Sequence, residues 1–224
     1  IGSLTKPLSY VPISKQGAKA VIDVTTSQDS VDIFYGDPFF GNGLNWTPIQ
    51  TYQVTNTGTT RIEIVQGNRV ESSPQPDIVD HAIPHQRFKI PHADVDTTSL
   101  KVIVDEDGLS EWTNVDDIDG NVAGVTAGDK IYFLTSSYDG GYEVYFGDNI
   151  VGKAPAHDSR VIFDYLISAG AEGNEIVTFI SGTDNITVDG TVSASSGGID
   201  RESVESVRTY APSFFQTQGR AVTA

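Results

Sequence analysis

Hydrophobic and polar positions alternate most cleanly in RIEIVQG (61–67), with Ile62 and Ile64 on one face and Arg61, Glu63 and Val65 on the other. A period of two is the mark of a half-buried strand. LSYVPI (8–13), KAVIDVTT (19–26) and VDIFYG (31–36) alternate or run apolar for a few residues, and Gln16-Gly17 and Gln28-Asp29-Ser30 punctuate them. They too predict strands. DPFFGNGLNWTPIQTYQV (37–54) predicts a loop entering a strand. Residues 1–67 are thus expected to form an N-terminal β region.

A second unit, a β-sandwich-like domain, is expected over residues 68–198. RVESSPQPDIVD (69–80) is extended, because Pro74 and Pro76 block a helix. RFKIP (87–91) follows. SLKVIVDEDGLSEWTNV (99–115) predicts a hairpin: Val102 and Val104 go out, Leu109 and Trp112 return, and Asp107-Gly108 makes the turn. KIYFLTSSYDGGYEVYFGD (130–148) predicts another, with two aromatic-rich strands flanking Asp139-Gly140-Gly141. SRVIFDYLIS (159–168) reads as a buried strand. Strands at regular spacing with Gly-rich turns predict a mainly β fold of antiparallel β-sandwich or open-barrel units.

Beyond Gly173 the apolar content thins through IVTFIS (176–181) and NITVDGTVSASSGG (185–198), whose Ser-Ser-Gly-Gly tail reads as a linker. The period then changes. Ile199, Val204, Val207, Tyr210 and Ala211 share one helical face, Asp200 is a plausible N-cap, and Pro212 ends or kinks the helix or opens a second short turn that stops near Gly219. Residues 199–224 are therefore expected to be a short C-terminal helical connector leading to a further domain. No solenoid repeat is visible.

Charge narrows the function classes. The formal net charge is −16. Such a field repels phosphate backbones and anionic lipid, so neither nucleic acid nor a membrane is expected as a partner, whereas a basic protein is. Cysteine is absent, which excludes disulfides, zinc thiolate sites and Cys nucleophiles. Methionine is absent too and residue 1 is Ile, so the chain is expected to be a piece of a longer polypeptide. No apolar run reaches the roughly 18 residues of a membrane span.

Candidate chemistry is thin. His81 and His85 stand at a spacing that ligates metal on a helix, with His92 nearby and His157 apart, but Pro84 and Pro91 oppose a helix. Asp94, Asp96, Asp105, Asp107, Asp117 and Asp119 crowd turns, which suits either calcium or ordinary Asp-Gly turn chemistry. Glu143, Asp148 and Asp164 are the carboxylates that a glycosidase reading would pair. Trp46, Phe39, Phe40 and Tyr52 either stack against sugar or anchor a long loop on the core. No nucleophile elbow is present, and Asp200 and Glu202 would repel a phosphate at the start of the terminal helix. We expect no catalytic residues, no metal and no cofactor.

One set of motifs is more informative. Tyr145-Phe146-Gly147-Asp148, with Asn149 where Gly is usual, is followed by Gly152-Lys153-Ala154-Pro155 and an apolar strand. Gly170-Ala171-Glu172-Gly173-Asn174 comes next, then Glu205, Arg208, Ala211-Pro212 and Gln218 before Arg220-Ala221-Val222-Thr223. In order and spacing these resemble the baseplate wedge proteins of contractile-tailed bacteriophages, the baseplate J-like family. The resemblance covers about residues 99–224, and the N-terminal third matches only in the style of its short strands. It implies a structural protein of the virion tail baseplate, assembled in the host cytoplasm, and not an enzyme. The implied partners are a second copy of the chain, as a homodimer within a wedge, and other baseplate wedge proteins. The ring they form around the hub would rearrange on sheath contraction. In the family the Arg-Ala-Val-Thr run leads into a further α/β domain. Tyr210, Phe214, Phe215 and Arg220 are the expected interface residues. The alternative from another class is a carbohydrate-binding adhesin module built on Trp46.

Overall fold

The computed structural model describes residues 11–72, 75–117, 124–137 and 139–209. The chain is mainly β, with curled sheets forming near-barrel units and a short helix towards the C-terminal side.

The first unit grows from β1 (Lys19–Thr26), where Ala20, Ile22 and Val24 point inward in strict alternation. β2 (Ser30–Ile33) and β5 (Tyr52–Thr55) pair as a two-stranded ribbon over it. β3 (Phe39–Gly41) and β4 (Leu44–Pro48) form a tight hairpin. Its two turn residues, Asn42 (φ 51°) and Gly43 (φ 76°), are both left-handed, the geometry that Asn-Gly favours. The stretch expected to be a loop entering a strand therefore begins with a hairpin that has Trp46 on its return strand. β6 (Thr60–Gln66) pairs with β1 so that Ile62 lies opposite Ile22 and Ile64 opposite Ala20. That register carries the alternation of RIEIVQG into the core, as expected.

The second sheet contains β7 (Asn68–Glu71), β8 (Asp77–Ile78), β9 (Phe88–Lys89), β10 (Val95–Asp105), β11 (Leu109–Asn114), β12 (Ile131–Ser136), β13 (Tyr142–Phe146) and β14 (Arg160–Ile167). Its order is β7-β14-β10-β11-β12-β13-β9, with β8 beside β14. Both expected hairpins form: Asp105 faces Leu109 across one turn, and Ser136 faces Tyr142 across the other. The β11–β12 pair is parallel, a departure from the antiparallel plan. β14 is buried along six consecutive residues because both of its faces are covered. Phe163 and Tyr165 enter the second core with Trp112, Tyr142 and Val144, while Leu166 packs against the first unit near Gly67.

The chain then returns to the first sheet. β15 (Ile180–Ser181) pairs with β3, and β16 (Ile186–Ser196) pairs with β1, giving the order β15-β3-β4-β6-β1-β16. The segment is thus a long edge strand, and Ser195 and Ser196 of the tail expected to be a linker belong to it. Ser195 ties it down: its hydroxyl donates to the Gly173 carbonyl (2.6 Å) and accepts the Ile176 N–H (2.8 Å). The helix α1 spans residues 204–209, and its cap is Ser203, not Asp200. The Ser203 Oγ accepts the Ser206 N–H at 3.1 Å. The Asp200 carboxylate instead accepts the Ala171 N–H at 3.1 Å. Of the expected apolar face, Val207 is fully buried while Ile199 and Val204 are exposed. Tyr210, Ala211 and Pro212 lie outside the described residues, as does the run to Gly219.

The β12–β13 turn supplies a pH prediction. Lys89 on β9 pairs with the Asp139 carboxylate, which the Ser137 hydroxyl and the Gly141 N–H also favour, and its pKa falls to about 2. A carboxyl depressed in the folded state stabilises above its unfolded value of about 4 and loses that effect as pH falls towards 2. A carboxyl-carbon NMR titration should give Asp139 a midpoint near 2 in the native chain, moving up towards the ordinary range in Lys89→Ala. An unmoved midpoint would rule out the lysine as the main cause.

Candidate functional site

The histidines separate into two places. His81 and His157 have ring centroids 5.3 Å apart, a pairing not anticipated from the sequence. The His81 Nε2–H donates to the Pro155 carbonyl at 2.9 Å, and its backbone N–H donates to His157 Nδ1 at 3.2 Å. His92 lies elsewhere, with Nδ1 2.6 Å from the Tyr165 hydroxyl. His85 occupies a left-handed turn (φ 53°). Among the described residues no group of three His, Asp or Glu side chains could hold a metal.

The acidic residues are also dispersed. Asp105 pairs with Arg160, Asp94 with Lys15 (3.4 Å), and Asp117 ends a 3₁₀ turn at 115–117; Asp119 lies outside the described residues. Asp96 is buried and accepts the Gly17 N–H, which joins the two units. Of the carboxylates a glycosidase would pair, Glu143 faces Arg87 at 3.7 Å and Asp164 takes a two-pronged bond from Arg69 (2.9 Å each). Asp148 caps its own turn. Each is committed to a cation or a backbone group.

The sugar-platform reading is overturned by burial. Trp46 is 1% exposed and Phe39 is fully buried. The Tyr52 hydroxyl accepts the Glu63 N–H at 3.1 Å, on the inner side of the ribbon. Of the four aromatics, Phe40 reaches solvent, and a single exposed ring provides no stacking platform.

The Tyr145–Pro155 motif builds a rigid turn. Asp148 Oδ1 accepts the N–H groups of Ile150 (3.0 Å) and Val151 (3.1 Å), and Asn149 Oδ1 accepts that of Ala154 (2.9 Å). Backbone hydrogen bonds hold the Asp148 carboxyl below its ordinary pKa. Asn149 sits at φ 65°, the conformation for which Asn best replaces Gly. Gly147 is required for a different reason: a Cβ there would overlap the backbone of Val151 and Gly152. Gly147→Ala should therefore destabilise the chain by about 1–3 kcal/mol, the overpacking range, read as a lower urea midpoint. An unchanged midpoint would show that the turn yields.

The units meet across a polar junction with a cavity of about 720 Å³ lined by Tyr35, Asp96, Lys101 and Leu166, among others. Tyr35 has the Arg69 guanidinium 4.9 Å from its ring centroid and the Lys101 ammonium 4.8 Å from it. Burial, then the nearby Asp164 charge, raises its hydroxyl pKa to about 12. Gln66 Oε1 accepts from the Ser168 hydroxyl (3.1 Å) and the Ala169 N–H (2.8 Å). The incoming segment also runs beside the outgoing one. Gln16 pairs with Ile199, the Glu202 N–H donates to the Ile13 carbonyl (3.0 Å), and the buried Tyr142 hydroxyl donates to that of Pro12 (3.0 Å). These ties hold the two units together through polar contacts. They place no nucleophile beside a base.

The expected interface residues Tyr210, Phe214, Phe215 and Arg220 lie outside the described residues. No helix among the described residues is long and apolar enough to cross a membrane.

No family model matches the chain. The chain is similar to baseplate wedge protein gp6 of Enterobacteria phage T4, at 26% identity over 257 aligned residues. The alignment covers 96% of this chain and 37% of that protein, so the chain spans little more than a third of its relative's length. The likeness is a distant one, to baseplate wedge proteins of phage.

Proposed function

We propose that the chain is a structural part of a phage tail baseplate wedge. It joins wedge subunits into the ring around the hub and rearranges when the sheath contracts. The observation that carries this reading is the similarity to a baseplate wedge protein along 96% of the chain. The architecture is suited to the role. Two near-barrel units are tied through buried polar groups, and rigid bodies turning about interfaces are a common means of switching an assembly. A net charge of −16 favours protein partners over nucleic acid or anionic lipid. In this reading a second copy and other wedge proteins are the partners, and Tyr210, Phe214, Phe215 and Arg220 contribute contacts.

The test is the particle itself. Mass spectrometry of purified virions should detect the chain, and electron microscopy should place it around the tube tip. Deleting its gene should leave tails without complete baseplates. Particles that lack the chain, or a purified chain that turns over a substrate, would refute the proposal.

A further inference from the structure

At one end of the second unit, the segment 79–88 faces the segment 145–155 across a groove of about 520 Å³. Its floor is apolar: Val79 and Phe88 are buried there and Phe146 is partly buried against them. Phe88 and Phe146 meet edge to face at 5.5 Å. Two large aliphatic side chains stand uncovered here, one in the lining of the groove and one in the turn that follows the lining residues Asp148 and Asn149. Ile83 lines the groove and is 51% exposed, and Ile150, at the tip of the adjoining turn, is 75% exposed. The turn that carries Ile150 is pinned by the Asp148 and Asn149 side chains, so this apolar group is presented in a fixed place. A preorganised apolar knob beside an aromatic-floored groove has the form of a binding hot spot.

Charge selects the occupant. Asp80 and Asp148 line the groove together with His81 and His85, and backbone hydrogen bonds favour the ionised form of Asp148. The one guanidinium in the lining, Arg87, faces Glu143 at 3.7 Å and lies 4.8 Å from the Tyr145 ring centroid. The whole chain carries −16, so a second copy would bring like charge to the groove's two carboxylates. We propose that this groove docks a basic segment of a different protein, one whose apolar anchor enters the floor beside Ile83, next to the turn that carries Ile150, while its lysines or arginines meet Asp80 and Asp148. The proposal rests on the baseplate reading for where that protein is found, and it adds the contact surface and the partner's chemistry.

A photo-crosslinking amino acid installed at position 150 places the probe in the turn beside the groove. Illumination of labelled particles should cross-link the chain to a lysine- or arginine-rich segment of another baseplate protein. A cross-link to a second copy, or none in particles that contain the chain, would overturn the inference. Particles that lack the chain would overturn the baseplate reading instead, and the groove is then decided on the isolated chain. There, a synthetic leucine–lysine amphipathic peptide should bind at least about tenfold more weakly to the double variant Ile83→Ser, Ile150→Ser. The control Phe34→Ser, also at an exposed apolar position, should bind like the native chain. Equal affinity for the double variant and the native chain would overturn the inference.

Discussion

Trp46→Ala is expected to lower the stability of the chain by about 3–5 kcal/mol, the range for removing a buried large aromatic. The indole is 1% exposed and meets Phe179 edge to face, with centroids 4.9 Å apart at 82°. Its Nε1–H points at the Gly41 carbonyl at 3.4 Å. Gly41 is packed so closely against Phe179 and Trp46 that the backbone has no slack with which to fill the void. A domain of ordinary stability has about 5–15 kcal/mol in hand, so the variant should sit near the edge of unfolding. Urea denaturation followed by circular dichroism measures the loss, and Trp46→Phe, which keeps an aromatic in the same core, should lose less. A change under about 1 kcal/mol, the size typical of surface substitutions, would mean that the ring is not a core element. It would also bring the sugar-platform reading back.

That residue illustrates where the sequence was legible and where it was not. β1, β6 and β14 were plain because their patterns have one physical cause each. The first two alternate against a single core, and the third is covered on both faces. β3 and β4 are three and five residues long, too short for periodicity to register, yet Asn42-Gly43 was a strong local hairpin signal. The Ser-Ser end of β16 has the composition of a linker because an edge strand of Ser, Thr and Gly buries few side chains. Its order comes from the ladder with β1 and from Ser195, neither of which leaves a hydrophobic trace. Asp200 and Ser203 are equally good caps by residue type, and the choice fell to Ser203 because Ala171, far back in the chain, takes the Asp200 carboxylate. The site residues suffer most from this. The junction pairs Arg69 with Asp164, and the groove joins His81 to Pro155, contacts that exist only once the second sheet is assembled. The motif Tyr145–Pro155 was legible as a resemblance, but its part in fixing a turn is visible only in three dimensions.

Asp96→Ala should have the other large effect, and it acts on the joint between the units. Asp96 is 2% exposed and accepts three hydrogen bonds, from the N–H of Gly17 (2.8 Å), the N–H of Thr98 (2.9 Å) and the Thr98 hydroxyl (2.6 Å). Gly17 leads into β1 of the first sheet, whereas Asp96 lies on β10 of the second, where the register with β14 breaks between Asp96 and Lys101. The carboxylate thus fills a gap in one ladder and holds the start of the other. Orphaning these donors should cost about 2–4 kcal/mol, with Asp96→Asn intermediate because it keeps an acceptor and loses the charge. The cost falls on the coupling of the units more than on either core. Calorimetry should therefore show one transition in the native chain and two in Asp96→Ala, as each unit melts separately. A single transition in the variant, shifted by less than about 1 kcal/mol, would show that the units are held together elsewhere, with Arg69, Asp164 and Gln66 the groups to test next.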